Sequence, residues 1–134
     1  MMELSDQDRE LVKLAAEARS KAYAPYSEYP VGAALRTESG NVFTGVNVEN
    51  AAFPLSMCAE RSAVFSAVTA GEKEFQAVAV ATRNGGAPCG PCRQVLSEFG
   101  LETRVLIANQ DQEVLKVTTV GELLPGQFGG DDLA

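Results

Sequence analysis

The chain of 134 residues is 46% hydrophobic and 22% charged, which is typical of one globular domain, so we predict a single domain over residues 1–134. No apolar run approaches the ~20 residues of a membrane span, and the polar N-terminal residues lack the pattern of a signal peptide, so we expect no membrane partner and a cytoplasmic location. The net charge of −7, from 18 acidic and 11 basic residues, argues against a nucleic-acid polymer as partner, because binding such a polymer needs an excess of Lys and Arg.

The first half of the chain predicts one helix followed by a hairpin. Ser5 and Asp8 form an N-terminal capping pattern, and apolar residues then recur at helical spacing, which predicts a helix over residues 5–23. Two β-prone runs follow, at residues 30–37 and 41–48. Three turn-forming residues separate these runs, so they predict a β-hairpin.

The second half alternates between helix and strand patterns. The predicted elements are a helix over residues 58–71, a doubly buried strand over 77–82, a helix over 91–100, a strand over 104–108 and a last short helix over 117–124. The glycine-rich residues 129–132 are expected to be loose. This order of elements implies a mixed sheet with helices packed on its faces.

All three cysteines fall at predicted helix starts, Cys58 within Cys-Ala-Glu and Cys89 and Cys92 within Pro-Cys-Gly-Pro-Cys. A helix N-terminus favours a thiolate, because its dipole and free N–H groups stabilise negative charge. The chain contains no histidine, which excludes a histidine-ligated metal. Three ligands leave one coordination position open, as catalytic zinc requires and structural zinc does not. We therefore predict a catalytic zinc site held by these three cysteines.

Other interpretations of these residues stay open. Free cysteines are commonly small buried hydrophobic residues, although core packing would not place all three at helix starts. Cys89 and Cys92 could form a redox pair, but that leaves Cys58 and Glu60 unexplained. Glu60 could be a solvated first-turn carboxylate. Next to an open zinc site it is predicted instead to transfer protons, since no histidine is available. A zinc site without catalysis is the remaining alternative.

These two motifs, together with APYSEYPVGAAL, FTGVNVENAA and ELLPGQF, resemble the small homotetrameric zinc-dependent cytidine deaminases. The resemblance implies an α/β fold, a three-layer αβα sandwich around a mixed five-stranded sheet. It also implies one Zn²⁺ per subunit and a homotetramer with shared active sites. The implied reaction is the hydrolysis of free cytidine and 2′-deoxycytidine to uridine and 2′-deoxyuridine plus ammonia, in pyrimidine salvage. The alternative is the deamination of a nucleoside antibiotic such as blasticidin S.

The resemblance also assigns residues that contact the substrate. Asn47 and Glu49, in the NVEN motif, would hydrogen-bond the ribose hydroxyls, and the backbone of Ala59 would contact the pyrimidine. Tyr29 stands where the family usually has a Phe that flanks the base. Phe53 stands where relatives often carry a Tyr that touches the sugar from an adjacent subunit.

Phe128 and Arg61 complete the predicted site. By the same resemblance, Phe128 would reach the ligand in a neighbouring subunit. The role of Arg61 follows from charge, because three thiolates on Zn²⁺ leave a net charge of −1. We therefore predict that Arg61 donates a hydrogen bond to a ligand sulfur and offsets part of this charge.

Overall fold

The structure is a computed structural model that describes residues 3–133, so residues 1, 2 and 134 of the predicted domain lie outside it. The helices of the described chain are α1 (Asp6–Arg19), α2 (Ala59–Thr69), α3 (Gly90–Ser97) and the single turn α4 (Val120–Leu123). The strands are β1 (Gly32–Thr37), β2 (Val42–Val46), β3 (Phe75–Thr82), β4 (Arg104–Asn109) and β5 (Val114–Thr119). Within residues 3–133, no helix has the length and apolar character to cross a membrane.

The strands form one sheet in the order β2-β1-β3-β4-β5. Strands β3 and β4 run parallel, and the other neighbouring pairs run antiparallel. Helix α1 packs on one face of this sheet, and helices α2 and α3 pack on the other. The three-layer αβα sandwich with a mixed five-stranded sheet is therefore confirmed.

Strand β3 lies at the centre of the sheet and is buried on both faces, as predicted. Its alanines, such as Ala79, point toward α1, and its valines, Val78 and Val80, point toward α2 and α3. The alternation follows from the two-residue period of a strand, and small residues on one face let α1 pack closely. The β3 chain then continues into the loop that leads to α3.

Helix α1 is shorter than predicted, ending at Arg19 instead of residue 23. The backbone of Tyr23 pairs with the segment that follows β2 and does not continue the helix. Its N–H donates to the carbonyl oxygen of Asn47, and its own carbonyl accepts from the N–H of Glu49. These two bonds extend the sheet beyond β2, and they anchor the segment that follows α1 beside Asn47 and Glu49.

The predicted helix over residues 117–124 is wrong in its first half, which belongs to β5. Val117 pairs with Leu106 of β4, so an antiparallel ladder satisfies backbone groups that a helix would have used internally. The side chain of Thr119 then accepts from the backbone N–H of Glu122, which starts α4. The tail predicted to be loose instead forms a 3₁₀ turn over Gly130–Leu133.

Gly45 allows α2 to lie directly against β2. A Cβ atom at this position would stand 2.4 Å from the carbonyl oxygen of Ala59 and 2.5 Å from the backbone nitrogen of Ala63. Backbone atoms cannot yield to such a contact, so the close packing requires glycine. It places the first turn of α2 beside the end of β2, where Asn47 follows.

A buried ionic network joins α1 to the sheet on the opposite face. The Asp8 carboxylate is 1% exposed and pairs with Arg104 at 2.9 Å and with Arg36 at 3.3 Å. It also accepts from the backbone N–H of Ser5, which closes the predicted capping pattern as a capping box. Burial raises the pKa of Asp8, but the bonds from Arg104, Ser5 and Arg36 outweigh burial and lower it from 3.8 to about 2.

We expect Asp8→Asn to lower the free energy of unfolding by about 3 kcal/mol, because the guanidinium of Arg36 stays buried without a full counter-charge. The exposed first-turn residue Asp6 provides the matched control, and Asp6→Asn should change stability by less than about 0.5 kcal/mol. Urea unfolding at neutral pH measures both values. Equal effects of the two substitutions would contradict the assigned role of Asp8.

The same carboxylate should make stability fall in acid. A folded-state pKa of about 2 lies below the ordinary value of 3.8, so the contribution of Asp8 is complete above this ordinary value and is lost as the pH falls toward 2. After screening by solvent we expect a loss of roughly 1–2 kcal/mol. Urea unfolding between pH 5 and pH 2 should show the difference between the parent and Asp8→Asn narrowing.

Candidate metal centre and substrate cavity

Each helix start on the α2–α3 face carries a cysteine at its N-terminal boundary. Cys58 caps α2 and Cys89 caps α3, both with extended backbone and without a side-chain capping bond. Cys92 lies in the first turn of α3 and is fully buried. Because neither capping sulfur binds its own helix, both are free to face each other. The predicted positions of the cysteines at helix starts are confirmed.

The three sulfurs meet at one point, all within 4.8 Å of one another. The Sγ atoms of Cys58 and Cys89 are 3.7 Å apart, and those of Cys89 and Cys92 are 3.2 Å apart. Tetrahedral zinc with sulfur ligands at about 2.3 Å needs neighbouring sulfurs about 3.8 Å apart. The cluster therefore fits a zinc ion with only small adjustment of the sulfur positions.

The charges around the cluster also suit a metal cation. The Nη2 group of Arg61 donates to Sγ of Cys58 at 3.1 Å. Hydrogen bonds from the Cys92 thiol and from Arg61 lower the pKa of Cys58 to about 5, although burial opposes this change. The sulfur of Cys58, together with burial, raises the pKa of Cys92. One thiolate is thus stabilised by the protein alone, and further thiolates need a cation beside them.

Glu60 lies in the first turn of α2 and is 5% exposed. Burial raises the pKa of its carboxyl group to about 7, and the negative charge of Cys58 adds to this effect against the opposing charge of Arg61. Residues two apart do not share a face within a regular helix. Cys58 nevertheless faces the same cavity as Glu60, because its extended backbone lies outside the helix.

A cavity of about 350 Å³ opens beside the sulfurs, a size in the range of small-molecule sites. Most of the residues predicted for the site line it, namely Tyr29, Asn47, Glu49, Phe53, Cys58, Ala59, Glu60 and Cys89. A second cavity of about 360 Å³ lies at the other end of β3 among Glu38, Glu74 and Glu102, without a cysteine. A molecule that reacts at the cysteine cluster would therefore bind in the first cavity.

Asn47 and Glu49 form the wall of the cavity at the end of β2. The Asn47 side chain accepts from the N–H of Val31 at 2.8 Å and donates to the carbonyl of Tyr29 at 2.9 Å. The Glu49 carboxylate accepts two hydrogen bonds from Ser27, one from the Ser27 hydroxyl and one from the Ser27 backbone N–H. These bonds from Ser27 lower the pKa of Glu49, so this group is a carboxylate that can accept from hydroxyls.

The aromatic residues predicted for the site differ in their placement. Tyr29 is partly buried in the cavity wall, whereas Phe53 is 80% exposed at the cavity rim. Phe128 is 56% exposed and does not line the cavity of its own chain. The side-chain amide of Gln94 donates a hydrogen bond of 2.8 Å to the backbone carbonyl of Phe128, which anchors the start of the C-terminal segment.

Two contributors to the cavity were missed from the sequence. Ser27 binds Glu49, and Asn84 accepts a hydrogen bond from the hydroxyl of Tyr29 at 2.6 Å. Each partner lies 22 or more residues away in the chain. No local pattern links such residues, and only the position of Ser27 within the APYSEYP run offered a signal.

Comparison with known proteins identifies the family. Residues 5–108 match the cytidine and deoxycytidylate deaminase zinc-binding region. The chain belongs to this family. The match includes the three clustered cysteines and Glu60, and together with the geometry of the sulfurs it supports one Zn²⁺ per chain.

Relatives of similar length support the assignment. A cytidine deaminase from Sporosarcina psychrophila is 43% identical over 126 residues, which is 92% of this chain and 93% of the relative. The crystal structure of a cytidine deaminase from Burkholderia pseudomallei is 47% identical with a TM-score of 0.85, covering 93% of this chain and 100% of that chain. A blasticidin-S deaminase from Bacillus cereus is 35% identical over an alignment that covers 93% of this chain and 94% of the relative.

We expect elemental analysis of the purified protein to find one zinc per chain and Cys89→Ala to bind little or none. Removing one of three thiolates leaves too few ligands to hold the ion tightly. Ser97→Ala, on the same helix and outside the cavity, is the control and should keep its zinc. Full zinc occupancy in the Cys89 variant would exclude this cysteine from the ligand set.

Proposed function

We propose that this chain hydrolyses free cytidine and 2′-deoxycytidine to uridine and 2′-deoxyuridine with release of ammonia. One arrangement carries the proposal: Cys58 and Cys89 of the three-cysteine cluster, together with the buried carboxyl of Glu60, line a nucleoside-sized cavity whose wall presents Asn47 and Glu49. Cytidine deaminases at 43% and 47% identity support the same reaction.

The mechanism assigns proton transfer to Glu60. When bound by Cys58, Cys89 and Cys92, Zn²⁺ supplies a water whose pKa is lowered toward neutrality. Glu60 would take a proton from the attacking water and deliver it to N3 of the pyrimidine, so that C4 becomes more electrophilic and bonds to the water oxygen. Glu60 then carries the proton of the new hydroxyl to the amino group, the C4–N bond breaks and ammonia leaves.

The protonation of Glu60 suits this double role. Its pKa of about 7, raised by burial, lets it both take up and release a proton near neutral pH. A solvated glutamate would remain ionised and would deliver protons less readily. Burial in the cavity wall is therefore the feature that makes this carboxyl a proton carrier.

Substrate binding is proposed to use the polar wall and the aromatic rim. The second N–H of the Asn47 amide and the remaining lone pair of Glu49 Oε2 are available to the ribose hydroxyls. The backbone of Ala59, at the start of α2, would contact the pyrimidine. The ring of Tyr29 would flank the base, and Phe53 lacks a hydroxyl with which to contact the sugar.

We further propose a homotetramer in which residues 1–134 form one domain per subunit and Phe128 reaches a neighbouring active site. Large exposed apolar side chains support an interface, with Phe53 80%, Leu55 70% and Phe128 56% exposed. A cytoplasmic role in pyrimidine salvage, on free nucleosides and not polynucleotides, completes the proposal. The net charge of −7 supports the exclusion of polymers.

The proposed activity predicts rapid conversion of cytidine to uridine, which ultraviolet absorbance records directly. Glu60→Gln should retain zinc and lose turnover by roughly 10²–10⁴-fold, because it removes the proton carrier and keeps the shape of the side chain. Glu10→Gln, on the exposed face of α1, should retain full activity. Turnover of blasticidin S without turnover of cytidine would favour the antibiotic as substrate, and near-normal turnover by Glu60→Gln would remove Glu60 from the mechanism.

Arg61 should set the pH at which activity develops. Its guanidinium balances part of the negative charge at Cys58, so Arg61→Gln should raise the proton affinity of the centre and move the onset of activity to higher pH. Arg61→Lys, which keeps the charge, should move it less, and the exposed Arg9→Gln should not move it. An unchanged pH–rate profile for Arg61→Gln would contradict this role.

A further inference from the structure

The hydroxyl of Tyr29 connects two segments that both line the cavity. It donates to Oδ1 of Asn84 at 2.6 Å, across 55 residues of sequence. The guanidinium of Arg83 lies over the ring of Tyr29, with Cζ 5.3 Å from the ring centroid. Asn84 and Arg83 belong to the β3–α3 loop, residues 83–89, which ends at the proposed zinc ligand Cys89.

Hydrogen bonds hold the β3–α3 loop near both of its ends. The buried hydroxyl of Thr82 accepts from the backbone N–H groups of Gly85 and Gly86, which fixes the turn at the end of β3. At its other end, the carbonyl of Pro88 accepts from the side chain of Arg93 at 2.8 Å. Asn84 lies within the turn that Thr82 fixes, so its contact with Tyr29 bears on the turn from which the chain continues to Cys89.

Tyr29 is itself held from the opposite side. Its backbone N–H donates to the Ser27 hydroxyl at 3.0 Å, and its carbonyl accepts from Asn47 at 2.9 Å. Ser27 in turn donates to Glu49. A continuous series of hydrogen bonds thus runs from the polar wall formed by Asn47 and Glu49, through Tyr29, to the loop that carries Cys89.

We propose that the Tyr29 hydroxyl is a latch that positions the β3–α3 loop, and with it Cys89, relative to Asn47 and Glu49. The latch holds the zinc centre at a fixed distance from the polar wall. Its kinetic consequence rests on the proposed function, whereas its effect on zinc retention does not. The hydroxyl acts through Asn84, which distinguishes its role from that of the Tyr29 ring.

Gly86 provides a steric test of the latch. A Cβ atom on Gly86 would lie 2.6 Å from the Tyr29 hydroxyl oxygen, but 3.7 Å from Cζ of the same ring and 3.8 Å from Oγ1 of Thr82. Only the hydroxyl therefore excludes a side chain at this position. Gly86→Ala should displace the hydroxyl from Asn84 in the parent protein and be accommodated once the hydroxyl is removed.

The experiment measures the rate at which zinc passes from the loaded protein to excess 4-(2-pyridylazo)resorcinol, together with KM and kcat for cytidine. Tyr29→Phe and Asn84→Ala should each speed zinc release and raise KM by roughly 3–10-fold, the range for loss of one hydrogen bond. The double variant should release zinc no faster than either single variant, because one contact is lost in all three. Tyr23→Phe, at an exposed tyrosine outside the cavity, is the matched control and should release zinc at the parent rate.

The Gly86 series separates the latch from a general weakening of the loop. Gly86→Ala should speed zinc release in the parent protein and have no further effect in the Tyr29→Phe background. Independent, additive effects of Tyr29→Phe with Asn84→Ala or with Gly86→Ala would overturn the latch. So would a rise in KM for Tyr29→Phe without faster zinc release, which would place the hydroxyl on the substrate. Absence of cytidine turnover by the parent would refute the proposed function alone, since zinc release still reports the latch.

Discussion

Three sulfurs within 4.8 Å of one another repel each other as thiolates, and the surrounding structure supplies the positive charge that this cluster requires. The N-termini of α2 and α3 face the cluster, Arg61 donates to Cys58, and zinc provides the remaining charge. This requirement explains much of the layout. Gly45 lets α2 lie directly on β2, and α3 begins beyond the end of β3, so both helix starts reach the same point.

The same convergence changes the chemistry of Glu60. At an exposed helix start, a glutamate is an ordinary carboxylate stabilised by the helix dipole. In this protein the first turn of α2 is covered by the sheet and the cavity wall, leaving Glu60 5% exposed. Burial raises its pKa to about 7, which brings its ionised and protonated forms close in free energy near neutral pH. The packing of the helix start therefore sets the proton affinity of this carboxyl.

Residues far apart in the sequence form hydrogen bonds on both faces of the sheet, but the bonds on the two faces differ in burial and charge. On the face of α1, the Asp8 carboxylate joins the helix to β1 and β4 through Arg36 and Arg104, a buried network that serves stability. On the site side, Asn47 and Tyr29 bind backbone and loop groups at the rim of the cavity, where solvent reaches them. Buried ionic contacts thus anchor the fold, and more exposed polar contacts shape the site.

Local signals in the sequence were enough to predict the three grouped cysteines, the helix starts that carry them and the buried strand β3, because capping, helical spacing and short apolar runs need no distant partner. The sequence could not place β5, since residues 114–119 become a strand only by pairing with β4. Nor did it show the contact of Tyr29 with Asn84, 55 residues away. Tertiary structure alone decided these features, and the pKa of Glu60 with them, because pairing, long-range contact and burial depend on how the elements pack.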